Sequence, residues 1–374
     1  MTFYLSAYRA DPAADYLFAR VRWTAQEIGP DLQIGLHVVY LQADKHLVTL
    51  YPWGKTYPVT DAEWERWSQL KEADGISMEN TGICYCFYQA SAGEATLVTG
   101  LACNTNCLMC PVSEGSRRHA KLTPLAELQE QLRYFGTDVP HITITGGEPT
   151  LLRMDLLEVF RTAKRLCPCA ELLLLTNGRA FAVAPYTQAL GQLLTAQDQI
   201  AIPIHGSTGA LHDAITQVPG SWQQTIAGLH HLAKSPVRIE IRIVVSKQNL
   251  SDVDAIVDLV LGLPRVTVVH FIGLEMCGNA IKNKDLIWVD YPQAAAACEA
   301  GIQKLMAAGI DVGLYNFPLC AVRHQDWTLC RNSISDYKIR YAPACASCSV
   351  QSICSGVFDS TLSTGCFHPR PILE

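Results

Sequence analysis

The chain has 374 residues and 49% hydrophobic content, enough to bury a large core, so disorder is excluded and one large domain with appendages, or two domains, is expected. Its 29 basic residues stand against 35 acidic ones with no block of either sign, which argues against a nucleic-acid arm or a membrane tail. No stretch approaches about 18 consecutive apolar residues and no basic segment precedes an apolar run at the N-terminus, so the expectation is a cytoplasmic protein without membrane or nucleic-acid partners.

Residues 1–90 contain several aromatics, a strand-like HLVTLYPW and an amphipathic ARVRWTAQEI, and read as a small N-terminal α+β domain. From about 94 to 276, branched apolar runs alternate with segments of helix length: ATLVTGLA, HITITGG, ELLLLTNG, QIAIPIHG, VRIEIRIVVS and VTVVHFIGLEM. That is the pattern of repeated strand-helix units around a parallel sheet, whether barrel or doubly wound. In either architecture functional groups gather at the carboxyl ends of the strands. Here those ends carry Cys103 to Cys110, Gly146 to Pro149, Thr176 to Gly178 and His205 to Ser207. From 311 onward the chain is rich in cysteine and poor in helix pattern, as in a small metal-stapled unit. The expected partition is 1–90, 91–310 and 311–374.

Fifteen cysteines are an odd number, and in a reducing compartment metal ligation explains them better than a disulfide framework. LACNTNCLMCP spaces Cys103, Cys107 and Cys110 as C-x3-C-x2-C directly after a strand. Short loops of this kind deliver thiolates to iron-sulfur clusters, and three thiols leave one iron of a four-iron cluster open for chemistry. Taken alone the spacing also suits a zinc knuckle. In HITITGGEPTLL, Gly146 and Gly147 let backbone approach a ligand closely, while the Glu148 carboxylate can bind an ammonium; alone this too is only a turn.

Together, the C-x3-C-x2-C loop after a first strand and the Gly-Gly-Glu-Pro turn after the second resemble the radical S-adenosylmethionine (SAM) superfamily, over roughly residues 94–276. The resemblance implies a partial (β/α)6 TIM-type barrel and a [4Fe-4S] cluster on Cys103, Cys107 and Cys110. It also implies SAM bound at the open iron, with Thr145, Gly146, Gly147, Glu148 and Pro149 around its methionyl amine. The residue before the third cysteine is usually aromatic in the family; here it is Met109, which can fill the same place near the adenine. By the same resemblance Asn177, His205, Ser207, Arg242 and Ser246 contact the ribose or carboxylate of SAM, and Phe271 to Leu274 line the adenine. Read as residues alone, Asn177-Gly178 is a good turn, His205 suits a core position, and Arg242 suits a structural ion pair.

Toward the C-terminus six cysteines, Cys320, Cys330, Cys345, Cys348, Cys354 and Cys366, fall within 47 residues, and CASCSVQSIC supplies C-x2-C-x5-C. This core resembles the auxiliary-cluster domains, of SPASM and twitch types, that follow the radical SAM core in peptide-modifying enzymes. The fuller SPASM pattern has another cysteine where this chain has Phe358, so one auxiliary [4Fe-4S] cluster is expected rather than two. The words LYNFPLC, SISDYKIRYAPAC and CSGVF are similar to His-Xaa-Ser system radical SAM maturases, which implies Cys320, Cys345, Cys348 and Cys354 as ligands, with Cys330 or Cys366 as substitutes and zinc as the alternative metal. Cys84, Cys86, Cys167, Cys169, Cys277 and Cys298 are expected to be buried or incidental.

The function implied is reductive cleavage of SAM to a 5'-deoxyadenosyl radical that modifies a peptide or small-protein side chain. The electron would come from a donor of flavodoxin or ferredoxin type. The alternatives are a radical SAM enzyme acting on a small molecule and a non-catalytic iron-sulfur electron-transfer protein.

Overall fold

A computed structural model describes residues 1–8, 16–332 and 338–373. In chain order the strands are β1 (Thr2–Tyr4), β2 (Tyr16–Arg22), β3 (Val38–Gln42), β4 (Leu47–Tyr51), β5 (Lys55–Pro58), β6 (Gly75–Glu79) and β7 (Ile83–Tyr88). They continue with β8 (Glu94–Val98), β9 (His141–Thr145), β10 (Glu171–Leu175), β11 (Gln199–Pro203), β12 (Arg238–Val244), β13 (Val266–Ile272), β14 (Asp311–Tyr315) and β15 (Cys330–Arg331). Last come β16 (Ile339–Arg340) and β17 (Val357–Phe358). The first seven strands form a sheet in the order β1-β7-β6-β2-β3-β4-β5, and β8 to β15 form a curled parallel sheet in sequence order, the architecture of a partial TIM barrel. Among the described residues no helix is long and apolar enough to cross a membrane.

The chain divides into two compact units. The first comprises Met1–Thr99, Thr123–Thr145 and Leu152–Leu173. Its N-terminal sheet buries Phe3, Val21, Leu41, Leu50 and Trp67 in one core. The Trp67 indole donates to the Tyr4 carbonyl at 2.8 Å, and the helix Asp61–Trp67 begins with a capping box on Thr60 and Glu63. The amphipathic ARVRWTAQEI is the end of a strand and a turn. Ala19 and Val21 enter the core while Arg20 and Arg22 alternate with them and pair with Asp31 at 3.0 and 2.6 Å, the two-residue period of a strand. HLVTLYPW contains β4, as its pattern predicts.

The second unit comprises Gly100–Leu122, Gly146–Leu151 and Leu174–Glu374. Within it β12 alternates Ile239, Ile241 and Ile243, all buried, with Glu240 and Arg242. On β13, Phe271 belongs to the apolar set: its ring lies with Val257 against Gly301 of the helix Tyr291–Ala307. His270, one residue earlier, faces the other side of the sheet. Six of the eight strands in the large sheet are the six runs read from the sequence. β14 and β15 are additional, and β14 pairs in parallel with β13 from Val268↔Asp311 to Ile272↔Tyr315. The last residues form short 3-10 turns, Pro343–Ser347 and Gln351–Ile353, beside the antiparallel pair β16 and β17.

Candidate functional site

The three cysteines of the first loop lie in the second unit, and two of them meet at one hydroxyl. Thr105 Oγ1 is 3.2 Å from Cys103 Sγ and 3.6 Å from Cys107 Sγ. Burial pushes the Cys107 thiol up to about 12 and raises that of Cys110, while the positive charge of Arg117 pulls against both shifts. A metal that displaces the proton removes this penalty, because thiolate is the ligand form.

Arg117, which the sequence reading passed over, is only 7% exposed. It comes from the helix Glu114–Arg118 and donates to the carbonyls of Thr105 (2.5 Å) and Val112 (3.1 Å) and to Asn106 Oδ1 (2.5 Å). All three acceptors are neutral. A buried cation without a carboxylate partner is costly, and an anion held by the adjacent thiols offsets that cost.

The loop is also gripped from the segment after β13. Asn279 donates its backbone N–H to the Cys110 carbonyl (2.9 Å) and its side-chain amide to the Cys107 carbonyl (3.1 Å), and Asn283 reaches the Leu108 carbonyl (2.9 Å). Gly278 makes this approach feasible, since a Cβ there would fall 2.3 Å from the Pro111 carbonyl oxygen.

The Gly-Gly-Glu-Pro turn packs onto the same loop. Gly147 N–H donates to Gly100 O and Glu148 N–H to Ala102 O, both at 2.8 Å. A Cβ on Gly147 would fall 2.2 Å from the Ala102 oxygen, so no larger residue fits. Thr145 ends β9, and its carbonyl accepts from Thr99; Pro149 opens the 3-10 turn Pro149–Leu152.

Glu148 carries structural bonds beside the role the resemblance implies. The residue is 1% exposed, and its Oε1 accepts from Thr150 N (2.9 Å), Thr150 Oγ1 (2.6 Å) and Thr176 Oγ1 (2.7 Å), while Oε2 accepts from Asn177 N (2.7 Å). A carboxylate has roughly four lone-pair positions, so these bonds consume most of its capacity. Its side chain joins two strand-end turns and leaves at most one direction on Oε2 for an ammonium. Asn177 extends the network, donating to Asn104 Oδ1 in the cysteine loop at 2.7 Å, and Arg179 donates to the Asn104 carbonyl at 2.7 Å.

The remaining candidates divide. His205 is 3% exposed with Nδ1 unpartnered, and burial together with the neighbouring His212 lowers its pKa to about 3, so it is a neutral imidazole with an unused ring nitrogen. Met109 and Leu274 share an apolar cluster with Ile215, Met276, Ala280 and Ile287. Ser207 gives its backbone N–H and its hydroxyl to Asp252, each at 2.7 Å. Two residues do not reach an open site. Ser246 is fully buried and its hydroxyl donates to Asn249 Oδ1 at 3.0 Å, closing a turn. Phe271 turns into the helix layer against Gly301, so it cannot line a ligand on the opposite face.

That opposite face carries a group the sequence reading did not assemble. Glu240, itself buried, accepts from Arg242 Nε and pairs with His270 Nδ1, each at 2.6 Å, and it also accepts from Gln199. These partners hold its carboxyl down to about 2 in spite of burial. The His270 ring meets Tyr315 edge to face at 4.6 Å. Arg242 is therefore a paired cation, as its residue-level reading allowed, and among the described residues its bond runs through Nε.

The second cysteine group surrounds one cavity, lined by Cys320, Cys345, Cys348 and Cys354. Backbone N–H groups of Leu319 and Gly356 point at Cys354 Sγ, and that of Ile372 at Cys348 Sγ, each at 3.4 Å. Cys330 and Cys366 are not among the lining residues, and Cys366 packs instead beside the Met109 cluster. Among the described residues no three His, Cys, Asp or Glu side chains are grouped to hold a single metal ion. Of the other cysteines Cys84, Cys167 and Cys298 are buried, Cys86 and Cys277 half-buried and Cys169 exposed. The donors fit the cofactors the sequence implies. The Arg117 guanidinium, with neutral acceptors, acts on the Cys107 and Cys110 thiols, Gly147 lets the Gly-Gly-Glu-Pro turn pack against the same loop, and four thiols line a separate cavity.

Residues 97–260 match the Radical SAM superfamily. An AdoMet-dependent heme synthase of Methanosarcina barkeri is 27% identical over 197 residues, 50% of this chain and 52% of that protein. A PqqA peptide cyclase of Methylorubrum populi is 29% identical over 196 residues, 51% and 48% of the two chains. The chain spans between 37% and 55% of the length of the curated relatives it matches. Among solved structures, Streptococcus suis SuiB bound to S-adenosylmethionine aligns with a TM-score of 0.49 at 14% identity, over 68% of this chain and 56% of that one.

Proposed function

We propose that this chain, whose residues 97–260 match the Radical SAM superfamily, modifies a side chain of a peptide or small protein, with one auxiliary cluster in the cysteine-rich segment that follows β14. The observation that carries the two-cluster reading is the pair of separate thiol sites: three cysteines in one short loop, two of them on the Thr105 hydroxyl, and four around one cavity. The peptide reading is supported by the resemblance of CASCSVQSIC and its flanking words to auxiliary-cluster maturases, the His-Xaa-Ser system among them. It also has support from one relative named for a peptide substrate. The relatives named heme synthase, at similar identity, favour a small-molecule substrate as the second reading.

When bound, the cluster and SAM together supply an electron and a 5'-deoxyadenosyl radical that abstracts a substrate hydrogen. The protein's part is placement and shielding. Cys103, Cys107 and Cys110 hold three irons, and Arg117 offsets the negative charge gathered on the thiolates. Glu148 is a positioning residue that locks the Gly-Gly-Glu-Pro turn to the Thr176–Asn177 turn, so that backbone and the remaining direction on Oε2 meet the SAM amine. His205 stays neutral at working pH and offers Nδ1 to a ribose or carboxylate group. Arg242, oriented through Nε by Glu240, has its two terminal amino groups left for a carboxylate. Met109 and Leu274 form an apolar wall for the adenine. Cys320, Cys345, Cys348 and Cys354 supply a complete ligand set, which suits an electron acceptor. Fifteen free thiols among the described residues suit the reducing cytoplasm.

The test is anaerobic incubation of the reconstituted protein with SAM, reductant and peptides encoded beside its gene, read by mass spectrometry. A mass change on a peptide supports the proposal; 5'-deoxyadenosine formed with no peptide change, but with conversion of a tetrapyrrole, transfers it to the small-molecule reading.

A further inference from the structure

We propose that an exposed basic face over the cysteine loop, formed by Arg118, Lys247, Lys282 and Lys284 around Ile281 and Leu286, is where a small acidic one-electron carrier protein docks to reduce the cluster. The inference rests on the radical SAM reading above, and it adds where the electron enters.

Charge is the first observation. The chain as a whole carries a net charge of −6. Yet in residues 111–121 and 279–287 the exposed cations Arg118, Lys121, Lys282 and Lys284 stand against Glu114 and Asp285. The Arg118 and Lys282 side chains are 68% and 71% exposed. Both reach Glu114, at 2.6 and 3.4 Å, which joins the helix Glu114–Arg118 to the helix Asn279–Lys282. Lys247 adds a further cation by donating to the Asp285 carbonyl at 3.3 Å. Among these cations Ile281 and Leu286 stand 54% and 53% exposed, so the face has an apolar centre and a basic rim. That combination fits an acidic partner, steered by charge and held by a small apolar contact.

Connection to the site is the second. The helices that carry the face are the ones that grip the cysteine loop. Asn279 N–H bonds the Cys110 carbonyl at 2.9 Å, its side chain bonds the Cys107 carbonyl at 3.1 Å, and Asn283 bonds the Leu108 carbonyl at 2.9 Å. An electron delivered at Ile281 or Lys282 therefore crosses one hydrogen bond to reach the main chain of two cluster ligands. With a flavodoxin as carrier, the anionic flavin hydroquinone loses one electron and becomes the neutral semiquinone. No proton moves, and the oxidised cluster on Cys103, Cys107 and Cys110 gains that electron, passing from the 2+ to the 1+ state.

The experiment compares wild type with R118E/K282E/K284E, both reconstituted anaerobically, in SAM cleavage driven either by reduced flavodoxin or by dithionite. With flavodoxin at low ionic strength the variant should be roughly 10- to 100-fold slower, and the gap should close as salt is added. With dithionite the two should be equal, as should iron content and SAM affinity. Equal flavodoxin-driven rates would overturn the docking face. Failure of the wild type to cleave SAM even with dithionite would overturn the radical SAM reading itself. If the triple variant loses iron, K284E alone serves: it should slow only the flavodoxin-driven rate, by about threefold, and no change in that rate would equally refute the face.

Discussion

The two cysteine sites are built in opposite ways. The first is a loop braced before any metal arrives: Arg117 binds three of its acceptors, Asn279 and Asn283 hold three of its carbonyls, and Glu148 with Asn177 ties it to the neighbouring strand ends. The second lies among 3-10 turns and two-residue strands, and its thiols face a cavity where protein–protein contacts end. A site whose ligands are held by protein hydrogen bonds keeps its shape when empty. One whose thiols receive long N–H contacts of 3.4 Å, on Cys354 and Cys348, and otherwise face a cavity takes more of its order from the metal, so binding energy there is folding energy.

The largest expected effect follows from that contrast. Cys345→Ala with Cys348→Ala should lower iron from about eight to about four per chain and open residues 338–373 to proteolysis and hydrogen exchange. SAM cleavage without substrate should persist. Replacing Cys103, Cys107 and Cys110 by Ala should also remove about four irons and abolish 5'-deoxyadenosine, yet leave the exchange protection of the barrel strands near wild type. Equal loss of protection at the two sites would erase the distinction.

Arg117→Met probes the brace itself. It strands the Thr105 and Val112 carbonyls, at about 1–3 kcal/mol each before relaxation, while Asn106 Oδ1 keeps its bond from Asn279, so the metal-free variant should melt several degrees below wild type and retain less iron. Arg117→Lys keeps the charge but not the planar fork, and should restore iron retention more than thermal stability. An unchanged melting temperature in the metal-free methionine variant would mean the loop is not pre-braced.

Glu148→Gln has a smaller reach. Losing a charge-assisted bond costs about 1.5–3 kcal/mol, which through the displaced turn should weaken SAM affinity by roughly one to two decades, with the cluster spectrum retained. Unchanged affinity in equilibrium titration would refute the positioning role.

Much of this was legible in the sequence, for identifiable reasons. The cysteine loop, the Gly-Gly-Glu-Pro turn and six strands are local patterns, and each lies at or near the position its spacing predicts. What one carboxylate does with four lone pairs is not local, so Glu148 read as an ammonium ligand although its donors come from 28 and 29 residues away as well as from Thr150. The Asn279 grip spans 172 residues and left no pattern. Phe271 and His270 could have been told apart. Ile239, Ile241 and Ile243 on the adjacent strand mark the helix-facing set, and the register places Phe271 beside Ile243 and His270 beside Arg242. β14 and β15 escaped because five- and two-residue strands inside a cysteine-rich stretch carry too few apolar positions to show a period.

The smallest effect is in acid stability. Burial lowers the pKa of His205 to about 3 and that of His212 to about 4, from 6.5. The unfolded chain therefore takes up these protons first, so the histidines' contribution to stability is intact above pH 6.5 and is lost as pH falls from 6.5 toward 4 and 3. His205→Asn should flatten that acid limb of unfolding measured by denaturant titration; an unaltered slope would place the titration elsewhere.

The metal content of the unmodified protein bears most directly on whether one chain holds a braced open site and a metal-ordered closed one. Iron and zinc should be counted per chain after anaerobic reconstitution. Two four-iron clusters predict about eight irons and no stoichiometric zinc. About four irons with one zinc would contradict the auxiliary cluster and leave the four C-terminal thiols as a structural staple.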